Sequence, residues 1–268
     1  MIKVKLSTGT TIAYEEAGSG HPIVLLHGYC GSHRYWDEAM PLLAAQGRVI
    51  APDLRGHGAS SASEGVYTME QLADDLAALL DELKLSRVNL IGHSLGGYIA
   101  LAFADKYPER LLALGLAHST SFPDGEAAQA NRLKAADTIR TKGIAAFVDD
   151  LIPKLFADSS RTDKPELLRK AKEIGYETSA DGAVGCALGM RERPDRGYVL
   201  EKLDLPILLL AGQLDGVIPP EKRFPVSKIN VTAITLEGVA HMGMMEDPQA
   251  FAGAIGTFLE QKRVKDSV

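Results

Sequence analysis

Short aliphatic runs recur along this chain, separated by longer helix-like stretches: PIVLLHG (22–28), GRVIAPD (47–53), RVNLIG (87–92), LLALGLAHS (111–119), LPILLLAG (205–212) and NVTAITLEG (230–238). A strand that is apolar on both sides must be covered on both sides, and helices alternating with such strands supply the crossovers of a parallel sheet. The intervening segments fit that role. Met69, Leu72, Leu76, Leu79, Leu80 and Leu83 make one apolar stripe at helical spacing, and GGYIALAFADKYPER is apolar nearly all round, as a buried helix is. Ahead of the first run, the alternating IKVKLS and TTIAYEE, joined at TGT, predict an antiparallel pair.

The rhythm lapses between residues 120 and 200. GEAAQANRLKAADTIR, GIAAFVDDLIPKLFA and PELLRKAKEIGYETS all read as helices, the second bent or ended by Pro153, and no strand is evident. The expected architecture is therefore α/β: a mostly parallel sheet with helices on both faces, built from residues 1–119 and 201–268, with a helical insertion at 120–200. A chain of 268 residues accommodates that arrangement.

Composition narrows the function classes. Lysine and arginine total 29 against 35 acidic residues and form no dense block, so neither nucleic acid nor an anionic membrane is an expected partner. KRVKDSV at the C-terminus is basic but short and reads as a solvated tail. The aliphatic runs are far too short to span a bilayer, the first residues show no signal-peptide pattern, and two cysteines, Cys30 and Cys186, make no disulfide framework. These features predict a soluble cytoplasmic protein whose partner is a small molecule; they leave its oligomeric state open.

One corner carries chemistry. In NLIGHSLGGYIA (89–100) the strand ends and a helix begins within a few residues, and Ser94 stands on the turn between Gly92 and Gly96. Side chains at those two glycines would collide with neighbouring backbone as the chain doubles back. The turn exposes the serine Oγ at the carboxyl edge of the sheet, where α/β proteins bind ligands, and aims the first amides of the helix at the same spot. G-x-S-x-G arises readily by chance; its placement after a strand and before a buried helix is what gives it meaning.

A serine needs a base to take its proton and a carboxylate to orient that base. Seven histidines compete. His21 precedes a proline at a strand start, His33 lies in a polar loop, and His27 opens a turn. His57 sits in a glycine turn that it braces. His93 is next to the serine and diverges from it, and His118 ends a strand and could line the pocket. His241, in EGVAHMG after the last strand, reaches the same edge as Ser94, and Asp215 does so from the loop after the preceding strand.

Taken together, HGYCGS, PDLRGHGAS, GHSLGG, LLLAGQLDGVIPP and GVAHM resemble, in order, the oxyanion loop, the next strand-turn, the nucleophile elbow, the acid loop and the histidine loop of the α/β-hydrolase superfamily. The resemblance covers nearly the whole chain. It implies a Ser94–Asp215–His241 triad, an oxyanion hole from the backbone N–H groups of Tyr29 and Leu95, and a helical cap at 120–200. Hydrolysis on such a triad requires no metal or organic cofactor, and no cluster of Cys, His and carboxylates shows ligand spacing, so none is expected. Val217 and Met242, beside the acid and base, and Phe122 and Phe147 in the cap are candidate pocket residues, while Phe156 and Met190 read as packing or pocket. GMRERPDR (189–196) reads as a solvated charged surface that could alternatively take an anionic group. A small-substrate carboxylesterase or lactonase fits the resemblance best. Carbon–carbon bond cleavage on the same triad and a signalling receptor on the same scaffold are the other readings.

Overall fold

The computed structural model describes residues 1–266. β1 (Ile2–Lys5) and β2 (Thr11–Ala17) form the antiparallel pair that the alternation predicts, with Ile2 opposite Tyr14 and Lys5 opposite Thr11. β3 (Pro22–Leu26), α1 (Ala39–Ala44), β4 (Arg48–Pro52), α2 (Met69–Glu82), β5 (Val88–His93), α3 (Leu95–Lys106) and β6 (Leu111–Ala117) follow. The inserted stretch contributes α4 (Glu126–Leu151), α5 (Asp158–Asp163), α6 (Pro165–Tyr176), α7 (Ala180–Glu192) and α8 (Gly197–Lys202). β7 (Ile207–Gly212), β8 (Val231–Leu236), α9 (Gly243–Glu246) and α10 (Pro248–Asp266) close the chain. The side chains described end at Gln261, so the reading of KRVKDSV as a solvated tail falls outside them.

All eight strands join one sheet in the order β1-β2-β4-β3-β5-β6-β7-β8. β2 runs antiparallel to β4, and every pair from β4 to β8 is parallel. Every residue of β5 and β7 is buried, as a sheet covered on both faces requires. α1 packs with α10 and α2 with α3 to supply that cover. α2 starts where Thr68 accepts the Gln71 N–H with its side chain, and it buries the predicted stripe from Met69 to Leu80.

In the inserted stretch, the first two predicted helices are continuous as α4 but kinked at Gly143 (φ 84°, ψ 166°). α4 ends at Leu151, and Pro153 sits in the 3₁₀ turn that follows, which is the stop its ring imposes. α7 was not legible. Its sequence, ADGAVGCALGMRE, holds three glycines that lower helix propensity. Those glycines fall at 182, 185 and 189, on one face, and that face lies directly on the 56–67 loop. A Cβ at Gly182 would come within 2.3 Å of the Gly56 carbonyl oxygen, and one at Gly189 within 1.8 Å of the Tyr67 carbonyl oxygen. Close backbone approach replaces side-chain packing here. Gly189→Ala is accordingly expected to destabilise the fold by about 2 kcal/mol or more, through forced displacement of α7, read as a lower urea midpoint at pH 7. A midpoint equal to wild type would contradict the close seating of α7.

GMRERPDR is only in part a solvated surface: Glu192, Pro194 and Asp195 are exposed. Arg193 and Arg196 are buried. Arg193 pairs with Asp124 at 2.8 Å, and Arg196 pairs with Glu70 and lies 3.8 Å from Asp105. Three acids distant in sequence draw these guanidiniums inward, which no local pattern reveals.

Candidate active site

β5 ends at His93 and α3 begins at Leu95, leaving Ser94 alone on the corner with φ 50° and ψ −114°. A non-glycine residue at positive φ is strained, and such strain concentrates where the fold fixes a functional group. The backbone around it is held from several sides. The Ser94 N–H donates to the Ala117 carbonyl at 3.0 Å, and the Ser119 hydroxyl donates to the Ser94 carbonyl at 2.8 Å. Gly92 and Gly96 are obligatory, as expected: a Cβ on Gly92 would stand 2.2 Å from the Gly96 oxygen, and one on Gly96 would stand 2.3 Å from the Leu26 oxygen. Ser94 keeps partial exposure between buried neighbours.

The loop after β3 lies against this corner. A Cβ built on Gly28 would be 3.3 Å from the Ser94 Cβ, which places the Tyr29 backbone beside the elbow. Leu95, the first residue of α3, carries one of the amides that no preceding helical turn can satisfy. The Tyr29 side chain turns away from the elbow into the inserted stretch, donating its hydroxyl to the Ala183 carbonyl at 2.7 Å and packing its ring 5.6 Å from Phe147.

The loops after β7 and β8 bring Asp215 and His241 together. His241 Nδ1 lies 2.9 Å from Asp215 Oδ2, both residues almost fully buried. The other carboxylate oxygen accepts the N–H groups of Val217 (2.8 Å) and Ile218 (3.1 Å), while Arg223 holds the Asp215 carbonyl at 2.7 Å. Burial alone pushes the Asp215 carboxyl up, but His241, His118 and their hydrogen bonds outweigh it and hold the group well below the usual carboxylate range. Asp215 is therefore an anion at neutral pH, fixed in orientation by two amides.

Two histidines act where sequence reasoning assigned them little. His93, read only as diverging from Ser94, donates Nε2–H to the His241 carbonyl at 2.9 Å and thereby ties the elbow to the histidine loop. Its ring centroid is 5.1 Å from that of His241. His118 is buried with its Nδ1 3.5 Å from Asp215 Oδ2 and its ring stacked on Phe251; burial keeps it neutral, with its pKa lowered. The histidine loop is also gripped from the inserted stretch. The His241 N–H donates to the Leu155 carbonyl at 3.0 Å. Glu246, buried, accepts from Ala240 N–H through one oxygen and from Ala157 N–H and the Ser160 hydroxyl through the other, each at 2.8 Å. Nothing in the local sequence distinguishes Glu246 from a surface acid, because its donors lie up to 89 residues away.

The remaining histidines divide as follows. His21 is exposed, and His33 pairs with Asp53 at 2.8 Å. His27 Nε2 accepts the Leu54 N–H, and His57 braces its own turn by donating Nδ1–H to the Arg55 carbonyl. Burial drives His57 down to about 4; burial and the neighbouring His57 drive His27 down to about 3. Both rings are thus neutral in the folded chain, while the unfolded chain takes up protons as the pH drops below 6.5. The stability they confer is complete above pH 6.5 and is lost on acidification toward pH 4, about 3 kcal/mol for His57 alone. Urea midpoints should therefore fall from pH 7 to pH 4.5, and His57→Gln should flatten that fall; an unchanged slope in the variant would refute the assignment.

Of the pocket candidates, Val217 is exposed, Phe122 is half-buried, and Phe147 is buried against Tyr29. Met242 is wholly enclosed, as are Phe156 and Met190. Among the described residues, no group of three or more His, Cys, Asp or Glu is arranged to hold a metal ion, and no helix is long and apolar enough to cross a membrane.

Comparison with known proteins identifies relatives of the chain. A family model described as the alpha/beta hydrolase fold matches residues 21–248. A putative 2-succinyl-6-hydroxy-2,4-cyclohexadiene-1-carboxylate synthase of Bacillus subtilis is 31% identical, aligned over 96% of this chain and 98% of its own. The 3-oxoadipate enol-lactonase 2 of Acinetobacter baylyi is 29% identical over 84% of each chain. A solved thermophilic esterase from Thermogutta terrifontis, described as malate bound, superposes with a TM-score of 0.92 at 34% identity, covering 97% of this chain and 98% of that one.

Proposed function

The chain belongs to the α/β-hydrolase fold family, and from that premise we propose that it is a serine carboxylesterase acting on small esters through an acyl-enzyme. The observation that carries this reading is the buried Asp215–His241 hydrogen bond, set at the strand ends beside the strained corner of Ser94. Ser94 Oγ attacks the acyl carbon while His241 Nε2 accepts its proton. Asp215 keeps the imidazole proton on Nδ1 and stabilises the imidazolium that forms. The N–H groups of Tyr29 and Leu95 receive the developing oxyanion, aided by the positive end of α3. His241 then protonates the leaving alcohol, and water, deprotonated by the same ring, releases the acid. No step calls for a metal or an organic cofactor.

In this reading residues 1–119 and 201–268 form the catalytic core and 120–200 a cap over it, with Phe147, Phe122, Val217 and the enclosed Met242 shaping the substrate space between them. The two cysteines, both buried free thiols, accord with a cytoplasmic setting. Lactone opening is the second reading, favoured by the enol-lactonase relative; a lactone is a cyclic ester and uses every group in the same role. A p-nitrophenyl ester series tests the proposal. Short acyl chains should be turned over with a burst equal to the enzyme concentration when deacylation limits, and inertness toward every ester and lactone offered would end it.

A further inference from the structure

Charged residues of the inserted stretch point to the substrate class. In α4, Ala135, Ala136 and Ile139 are buried, and Arg132 shares their stripe, so it faces inward rather than to solvent. Its Nε donates to Asp124 Oδ2 at 3.0 Å, and the other oxygen of that carboxylate takes Arg193 at 2.8 Å. Two guanidiniums therefore share one carboxylate, leaving a surplus positive charge. Arg193 is otherwise occupied: it donates to the Met190 and Phe122 carbonyls and stacks 3.9 Å above the Tyr98 ring. Arg196 has its own acids in Glu70 and Asp105. Arg132 is different. Among the described residues only its Nε has a protein partner, and 25% of its side chain stays accessible.

Its surroundings connect it to Ser94. Through Asp124 it neighbours Arg193, whose guanidinium stacks on the Tyr98 ring, and Phe147, also of α4, packs on the Tyr29 ring. Tyr98 stands one helical turn beyond Ser94, its N–H on the Ser94 carbonyl, and Tyr29 follows the glycine that touches the elbow. From outside, a groove of about 640 Å³ opens between the two halves of α4, a volume suited to a small ligand. Arg132 and Phe147 line it, with Lys134, Lys142 and Lys154 alongside; Asp150 is its single acidic lining residue and pairs with Lys154.

Resting on the esterase reading above, we propose that the preferred substrates are short esters bearing a carboxylate, which enters by the α4 groove and seats on the two terminal nitrogens of Arg132. A planar guanidinium with both Nη groups available matches a carboxylate in two parallel hydrogen bonds, and the lysines draw the anion in. The surplus charge is then neutralised only when substrate is bound.

Two matched pairs of esters test this: phenyl hexanoate against monophenyl adipate, with the charge on the acyl side, and phenyl acetate against 4-acetoxybenzoate, with the charge on the alcohol side. The wild type should favour the charged member of at least one pair by about tenfold in kcat/KM at low salt, the effect of one charge-assisted contact. That preference should shrink toward parity at about 0.5 M salt as the long-range attraction is screened. Arg132→Gln should bring the ratio near one through KM for the charged ester. Arg132→Lys, which keeps a cation in place, should retain part of the ratio and guards against misreading a folding defect. Neutral esters cleaved without any charge preference would overturn the inference and leave the esterase reading intact. A preference surviving in Arg132→Gln would overturn the assignment to this residue. Failure to cleave either member of both pairs would remove the esterase reading and this inference with it.

Discussion

Ser94→Ala should lower kcat for p-nitrophenyl esters by about four orders of magnitude or more, leaving only the residual rate that oxyanion donors and binding supply. The fold should survive unchanged. The Ser94 side chain makes no capping hydrogen bond to α3, its backbone contacts persist in alanine, and the positive φ strains both residues alike. Thermal midpoints of the two proteins should therefore agree within a few degrees, and circular dichroism spectra should superpose. The loss should fall on kcat rather than KM, because the nucleophile stabilises only the transition state. A fluorophosphonate should phosphonylate the wild type at Ser94, adding its mass less HF as fluoride leaves, and leave the variant unlabelled. Full turnover by Ser94→Ala would mean that another group attacks the ester.

Asp215→Asn should be nearly as damaging, about 10³–10⁴-fold in kcat, for a reason the loop makes specific. The amides of Val217 and Ile218 both donate to Oδ1. An asparagine must present its carbonyl oxygen to those donors, which leaves its NH₂ group where Oδ2 meets His241 Nδ1. That group donates to Nδ1, so the ring proton moves to Nε2, and Nε2 can no longer accept from Ser94. The variant keeps the shape of the site and holds the wrong tautomer. Its acid stability should change as well. The carboxyl of Asp215 is held below its unfolded value, so the stability it adds is present above about pH 4 and is lost as the pH falls further. Asp215→Asn should therefore lower the urea midpoint at pH 7 and narrow its difference from wild type below pH 4. A kcat within tenfold of wild type would exclude Asp215 as the orienting acid.

The buried strands and the loops bearing Ser94, Asp215 and His241 were legible because they are written in local terms: continuous aliphatic runs for buried strands, small residues at a sharp corner, an acid and a base each just beyond a strand. What stayed hidden depends on partners remote in sequence. α7 was missed because its glycines weaken helix propensity where the 56–67 loop demands close contact. Arg193 and Arg196 read as surface charge because Asp124, Glu70 and Asp105 are far from them in the chain. His93 was set aside on its distance from Ser94 Oγ, yet its partner is a carbonyl 148 residues on. Periodicity cannot announce a hydrogen bond to someone else's backbone.

The clamp formed by the Leu155 carbonyl and Glu246 has a mechanical corollary. Residues 155–160 are fastened to the same loop that carries His241, so lifting them to admit a bulky guest would drag the imidazole off the Asp215 carboxylate. Any opening that keeps the Asp215–His241 hydrogen bond must leave residues 155–160 in place and move elsewhere, for example at the bend at Gly143. Enlarging the entrance at that bend should broaden the range of guests without loss of turnover, whereas loosening the clamped side should slow every reaction alike.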